Sequence, residues 1–304
     1  MAPPPPPPPS LPTLTIFTLL FFIFIFPSTP TSPIACHDTC GSIQVKYPFG
    51  TGPGCGSPLF SPYITCTSNQ LILKTHTGSY PITSISYTTS TLTLTPPNMS
   101  TCTNMQTSPN FGLDWTSPFQ IGSSTFILFS CQPSSILTSP ICDPSFDYLC
   151  ASIYTCPSVV TLGMPLFPPT NTCCVYSPAN LDDKGELDLK EMKCGGYASV
   201  VSLGDNPTDP THWVYGVALK YSYGVLDNNY VTTKCSGCES SGGVCGFAPP
   251  GNGFVCVCKG GYNTSLDCSS YNQNQDYVWD STSASFSTPY VWSCIFTGII
   301  WSLA

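Results

Sequence analysis

The sequence predicts a mostly β, disulfide-rich secreted ectodomain assembled from short strands and loops. Three observations lead there. Of nineteen cysteines in 304 residues, eighteen lie between Cys36 and Cys268, an even set suited to a closed disulfide framework. A thiol count of this size belongs to an oxidising compartment. Apolar residues come in short runs broken by Pro, Gly, Ser and Thr, and only 8% of residues are charged.

The segments, taken in order, begin with a leader over 1–35. Leu14 to Phe26 is an uncharged apolar run of 13 residues, long enough for a signal peptide and short for a membrane span. Its n-region, MAPPPPPPPS, lacks Lys and Arg, and cleavage is expected between Ser28 and Ala35. Next, over 36–131, Leu71 to Leu73, Ile82 to Tyr87 and Leu92 to Leu94 read as short strands. Phe126 to Phe129 is a continuous apolar run, as expected of a strand buried on both faces.

A cysteine-rich linking region covers 132–212. Its adjacent pair Cys173-Cys174 is expected to staple to two different partners, and Asp182 to Lys193 is expected to form a short solvated helix. Over 213–268, Trp213 to Tyr223 alternates strictly. Tyr215, Val217, Leu219, Tyr221 and Tyr223 share one face, read as the core side of a single strand rather than a sugar-stacking stripe. Residues 269–304 form a Ser/Thr-rich stalk and an apolar tail, Tyr290 to Ala304, that contains Cys294. Three readings of that tail stand open: a glycolipid-anchor signal, part of a membrane span, or a segment packed in the fold.

The framework candidates are Cys36, Cys40, Cys55, Cys66, Cys102, Cys131, Cys142, Cys150, Cys156, Cys173, Cys174, Cys194, Cys235, Cys238, Cys245, Cys256, Cys258 and Cys268. Cys256-x-Cys258-x-x-Gly261-Tyr262 followed by Cys268 has the form of an EGF-like C-terminal half-module. Alternate strand residues point oppositely, so Cys256 and Cys258 must bond in different directions, and Gly260-Gly261 permits the turn that returns Cys268 to Cys258. Cys235-x-x-Cys238 lacks a second matching pair or a nearby histidine, so no metal site is expected. Asn98 and Asn263 open N-glycosylation sequons.

Charge narrows the function. The net charge is −8, and all eight basic residues are scattered lysines, which excludes a nucleic-acid partner. With three histidines and no G-x-S-x-G, P-loop or H-E-x-x-H motif, no catalytic residue and no cofactor are expected. A paired-carboxylate glycosidase, which leaves no local signature, is the catalytic alternative.

Two stretches resemble the extracellular part of plant wall-associated receptor kinases and their kinase-less relatives. Cys36, Cys40-Gly41, Ile43, Tyr47-Pro48-Phe49-Gly50, Cys55-Gly56 and Cys66 resemble the family's galacturonan-binding module. Cys235-x-x-Cys238-x-x-Ser241-Gly242-Gly243-x-Cys245-Gly246 with Cys256-x-Cys258 is similar to its C-terminal cysteine module. The resemblance implies an extracellular, non-catalytic binder of pectin or oligogalacturonide at the cell wall or the outer face of the plasma membrane. A co-receptor or structural wall protein that docks a receptor kinase, or a truncated receptor ectodomain, are the alternatives.

A polyanionic ligand needs cations from the protein, or calcium bridging carboxylates on both sides. The expected ligand-binding residues are Lys46, Tyr47, Phe49 and Lys74, with His37 and His76 as switchable charges. A core role for Tyr47 and Phe49 competes with that reading. Asp182, Asp183, Glu186 and Asp188 are the densest carboxylates but miss the order of a calcium loop.

Overall fold

A computed structural model of the chain describes residues 36–137, 139, 141–176, 186–222, 229–248 and 251–269. The leader over 1–35 and the apolar tail with Cys294 lie outside the described residues. Strand outweighs helix, 33% against 16%, and nine disulfides join all eighteen framework cysteines. The mostly β, disulfide-rich class is therefore the observed one. No helix among the described residues is long and apolar enough to cross a membrane.

In chain order, β1 (Thr39–Cys40) and β2 (Ile43–Gln44) form a small hairpin. A meander follows through β3 (Ile64–Thr67), β4 (Gln70–Thr75), β5 (Gly78–Ser86) and β6 (Thr91–Leu94). Then come β7 (Phe111–Gly112), β8 (Phe119–Ile121) and β9 (Thr125–Phe129), and two short helices, α1 (Pro133–Leu137) and α2 (Asp147–Ile153). The second half holds β10 (Cys174–Tyr176), β11 (Glu186–Leu187), β12 (Gly196–Ser202), β13 (Val214–Tyr215) and β14 (Val217–Tyr221). Helix α3 (Asn229–Ser240) precedes β15 (Val244–Ala248), β16 (Gly253–Val257) and β17 (Asn263–Thr264).

An antiparallel six-stranded sheet runs β3-β4-β5-β6-β14-β8 and a four-stranded one runs β10-β9-β12-β13. Leu71, Leu73, Leu92, Leu94 and Leu219 of the first share one core with Phe126, Leu128, Tyr176 and Tyr197 of the second. The opposite face of the smaller sheet, with Ile127, Phe129 and Val200, packs on Leu149, Ile153 and Val159. Strand β9 is thus covered on both sides, which is why its sequence runs apolar without alternation. Each fully buried Leu or Phe contributes about 1.5–3 kcal/mol.

The disulfides fall into three local groups. Cys36–Cys55 and Cys40–Cys66 close the first. Cys102–Cys156, Cys131–Cys194, Cys142–Cys174 and Cys150–Cys173 close the second, so Cys173 and Cys174 do staple to different partners. Cys235–Cys245, Cys238–Cys256 and Cys258–Cys268 close the third, with the expected return of Cys268. The longest, Cys131–Cys194, spans 63 residues, a loop worth about 4 kcal/mol of lost unfolded-state entropy.

Two expectations change. The Trp213–Tyr223 strand is two strands: Gly216 lets the chain step from the four-stranded to the six-stranded sheet, where a Cβ would stand 2.8 Å from the Thr93 methyl. Tyr223 lies outside the described residues. The 182–193 segment is not helical over its described part. Leu187 and Leu189 are both buried, an alternation that makes β11 pair with β7, and Asp188 accepts from the Lys190 and Glu191 amides to turn the chain. Cys102 and Cys131 bond forward to Cys156 and Cys194, and β14 is an interior strand between β6 and β8.

Candidate functional site

The Lys46-Tyr47-Pro48-Phe49 segment is a tight turn, with a cis peptide before Pro48 and the Phe49 amide donating to the Lys46 carbonyl at 2.9 Å. Its two rings diverge. Phe49 enters the main core, 4.7 Å from Tyr221 and 5.4 Å from Phe60 between ring centroids. Tyr47 packs with Val231, Phe254 and the Cys235–Cys245 pair of the third disulfide group.

That turn is the seam between the first and third groups. The Tyr47 amide donates to Glu239 Oε1 on α3 at 2.7 Å. The Gly56 amide donates to the Cys245 carbonyl, and the Phe247 amide to the Gly54 carbonyl, both at 2.8 Å. At Gly56, with φ +71°, a Cβ would lie 2.5 Å from the Phe49 carbonyl carbon, so the Cys-Gly pair is required for the turn to close.

Beside the seam lies a cleft of about 300 Å³, lined by Asp38, Gln44, Lys46, Ser236, Glu239 and neighbouring backbone. Lys46 is exposed at it, held from below by its amide, which donates to Tyr87 Oη at 2.7 Å. Burial pushes the Glu239 carboxyl above the usual carboxylate range, opposed by the Tyr47 amide and the nearby Lys46 charge. Among the described residues every ion pair joins a histidine to a carboxylate, so the Lys46 ammonium, though near Glu239, makes no direct ion pair.

The expected residues separate in space. Lys46 lines the cleft and Tyr47 forms the buried seam behind it. Phe49 is only 1% exposed, so it is withdrawn from the ligand-binding set: its ring is core and reaches no ligand. Lys74 is exposed on β4 and does not line the cleft. His76 is bound up with carboxylates, 2.6 Å from Asp114 and 3.3 Å from Glu186, which raise its pKa, the Asp114 hydrogen bond most. His37 is exposed away from the cleft lining. Asn98 is exposed after β6, and Asn263 is half-buried in β17.

A larger groove of about 610 Å³, which sequence reading missed, is lined by Ser123, Ser124, Thr125, Ser202 and Lys220 among others. The polar face of the alternating 213–223 segment was its one signal. Cys256, Cys258 and Cys268 cluster closely, but all three are in disulfides and offer no thiolate to a metal.

Two family models match this sequence. Residues 36–96 match the wall-associated receptor kinase galacturonan-binding model, and residues 172–261 match the wall-associated receptor kinase C-terminal model. The chain carries two modules of wall-associated receptor kinase ectodomains. Strand β14, which pairs with β6 of the first match, lies within the second. The chain is 31% identical to wall-associated receptor kinase-like 20 of Arabidopsis thaliana over 178 residues, which is 56% of this chain and 25% of that protein. It is 28% identical over 248 residues to the leaf rust 10 disease-resistance locus receptor-like protein kinase-like 1.5 of the same plant, 75% of this chain and 34% of that one. The chain thus spans between a quarter and about a third of the curated relatives it matches. No solved structure matches it.

Proposed function

We propose that this chain is an extracellular, non-catalytic binder of acidic wall polysaccharide that takes galacturonan in the cleft beside Lys46. The observation that carries this reading is an exposed lysine, outside any direct ion pair, at a cleft lined by residues of both matched modules. An ammonium outside any direct ion pair is the complement of a uronate, and the Ser236 hydroxyl and the Gln44 amide suit sugar hydroxyls. The nine disulfides agree with an oxidising, extracellular setting.

The test is a titration of the whole ectodomain with defined oligogalacturonides across salt concentrations, with and without calcium, while reducing ends are assayed. Saturable binding that weakens with salt and releases no new reducing ends is expected. Lys46→Gln is expected to weaken it about tenfold and to leave stability within about 0.5 kcal/mol. Binding that vanishes with a chelator assigns calcium the bridging role. Release of reducing ends points instead to hydrolysis, and no binding at all returns the chain to a protein-docking role.

A further inference from the structure

Helix α3 carries Tyr230 and Lys234 four residues apart, hence on one face. The Lys234 ammonium lies 4.7 Å from the centroid of the Tyr230 ring and 5.5 Å from that of Phe254. It also donates to the Ser265 carbonyl at 3.3 Å. Two ring faces and a carbonyl therefore hold the charge in place without neutralising it. Among the described residues no carboxylate oxygen pairs with it. The Tyr230 ring is 63% exposed beside it.

This juxtaposition has the form a uronic acid needs. Its pyranose presents an apolar C–H face suited to a phenol ring and, on the same sugar, a carboxylate suited to a fixed ammonium. Fixing the lysine in advance lowers the entropy lost on binding. A purely structural alternative is that Lys234 braces α3 to the β16–β17 hairpin, but a brace does not require an exposed ring.

We propose that Tyr230, Lys234 and Phe254 form a second uronate-binding subsite on the C-terminal module. It rests on the galacturonan reading above and lies apart from the Lys46 cleft. At 3.6 residues per turn, Ser236 and Glu239, which line that cleft, point away from the face of Tyr230 and Lys234. A short uronide therefore occupies one site at a time, and only a longer chain or two chains engage both. Two weak sites on one body give such chains the advantage of a raised effective concentration.

The whole ectodomain is titrated with digalacturonate and with its dimethyl ester, following the Phe254 ring protons by NMR, a ring of the subsite that every variant keeps. Wild type, Lys46→Gln, Lys234→Gln, Tyr230→Ala, Tyr230→Phe and Lys259→Gln are compared, Lys259 being an exposed lysine of the same module without an aromatic partner among the described residues. The expected result is that digalacturonate shifts the Phe254 signals in wild type and in Lys46→Gln, while the ester does not. Lys234→Gln and Tyr230→Ala weaken that response about fivefold to tenfold, and Tyr230→Phe and Lys259→Gln leave it unchanged. Circular dichroism identical to wild type shows that the variants fold. The subsite is overturned if Lys234→Gln and Tyr230→Ala bind like wild type while Lys46→Gln abolishes binding, or if Lys259→Gln weakens it equally. Failure of wild type to bind any galacturonide overturns both proposals, so the two failures are told apart.

Discussion

Tyr47 and Phe49 are two residues apart yet serve different cores, and the small residues around them make that possible. Gly243 shows how narrow the tolerance is. A Cβ there would meet Cys256 Sγ and Cys268 Sγ at 2.6 Å and Cys238 Sγ at 2.9 Å, atoms locked in two disulfides that cannot give way. Neighbouring Ser241 accepts from the Cys268 amide and donates to the Cys238 carbonyl, both at 2.8 Å, so the Ser-Gly-Gly run is a spacer shaped to the crosslinks. Gly243→Ala is expected to cost about 3 kcal/mol, read by denaturant unfolding, and wild-type stability in that variant would refute the packing.

Titration acts on the same residue scale. His76 has its pKa raised above 6.5 by Asp114 and Glu186, and Glu239 has its pKa raised above 4.5 by burial. A folded pKa above the unfolded one gives stability that is complete below the unfolded value and is lost as pH rises through the folded value. Both groups therefore favour the fold in mild acid. Unfolding at pH 5 and pH 8 is expected to show a larger loss for His76→Gln at pH 5 than at pH 8. Glu239→Gln is expected to gain relative stability at pH 8, since its amide oxygen still accepts from Tyr47 without a buried charge.

Elements depend on their context to differing degrees. Strands β4, β5 and β6 were legible because their apolar and β-branched residues alternate in short runs. Helix α3 was not, since Thr232, Thr233, Ser236 and Gly237 are weak helix formers. It is held by Cys235 and Cys238, three apart on one face, bonded to β15 and β16. Strand β14 was legible as a strand but not as the partner of β6 and β8. A peptide of residues 36–96 alone, the span of the galacturonan-binding match, is therefore expected not to fold. It leaves β6 unpaired on one side and exposes Leu92 and Leu94 to water, despite both of its own disulfides. Dispersed NMR signals from that peptide as a monomer would contradict this.

Across the whole molecule, the cysteines, the turn residues and the strand periods determined a β-rich, crosslinked class from sequence alone. These are local properties: an even cysteine set, a short alternating run and a Gly-Gly turn carry their meaning within a few residues. The two module patterns likewise stood in the sequence. What only the tertiary structure decided was which groups come to share a neighbourhood. It sent Phe49 to the core and left Lys46 at a cleft, joined the first and third disulfide groups through Tyr47 and Glu239, and set Lys234 between two rings. Tyr47 and Glu239 are 192 positions apart, and no local pattern encodes such a pairing, because it arises from the packing of whole sheets and crosslinked loops.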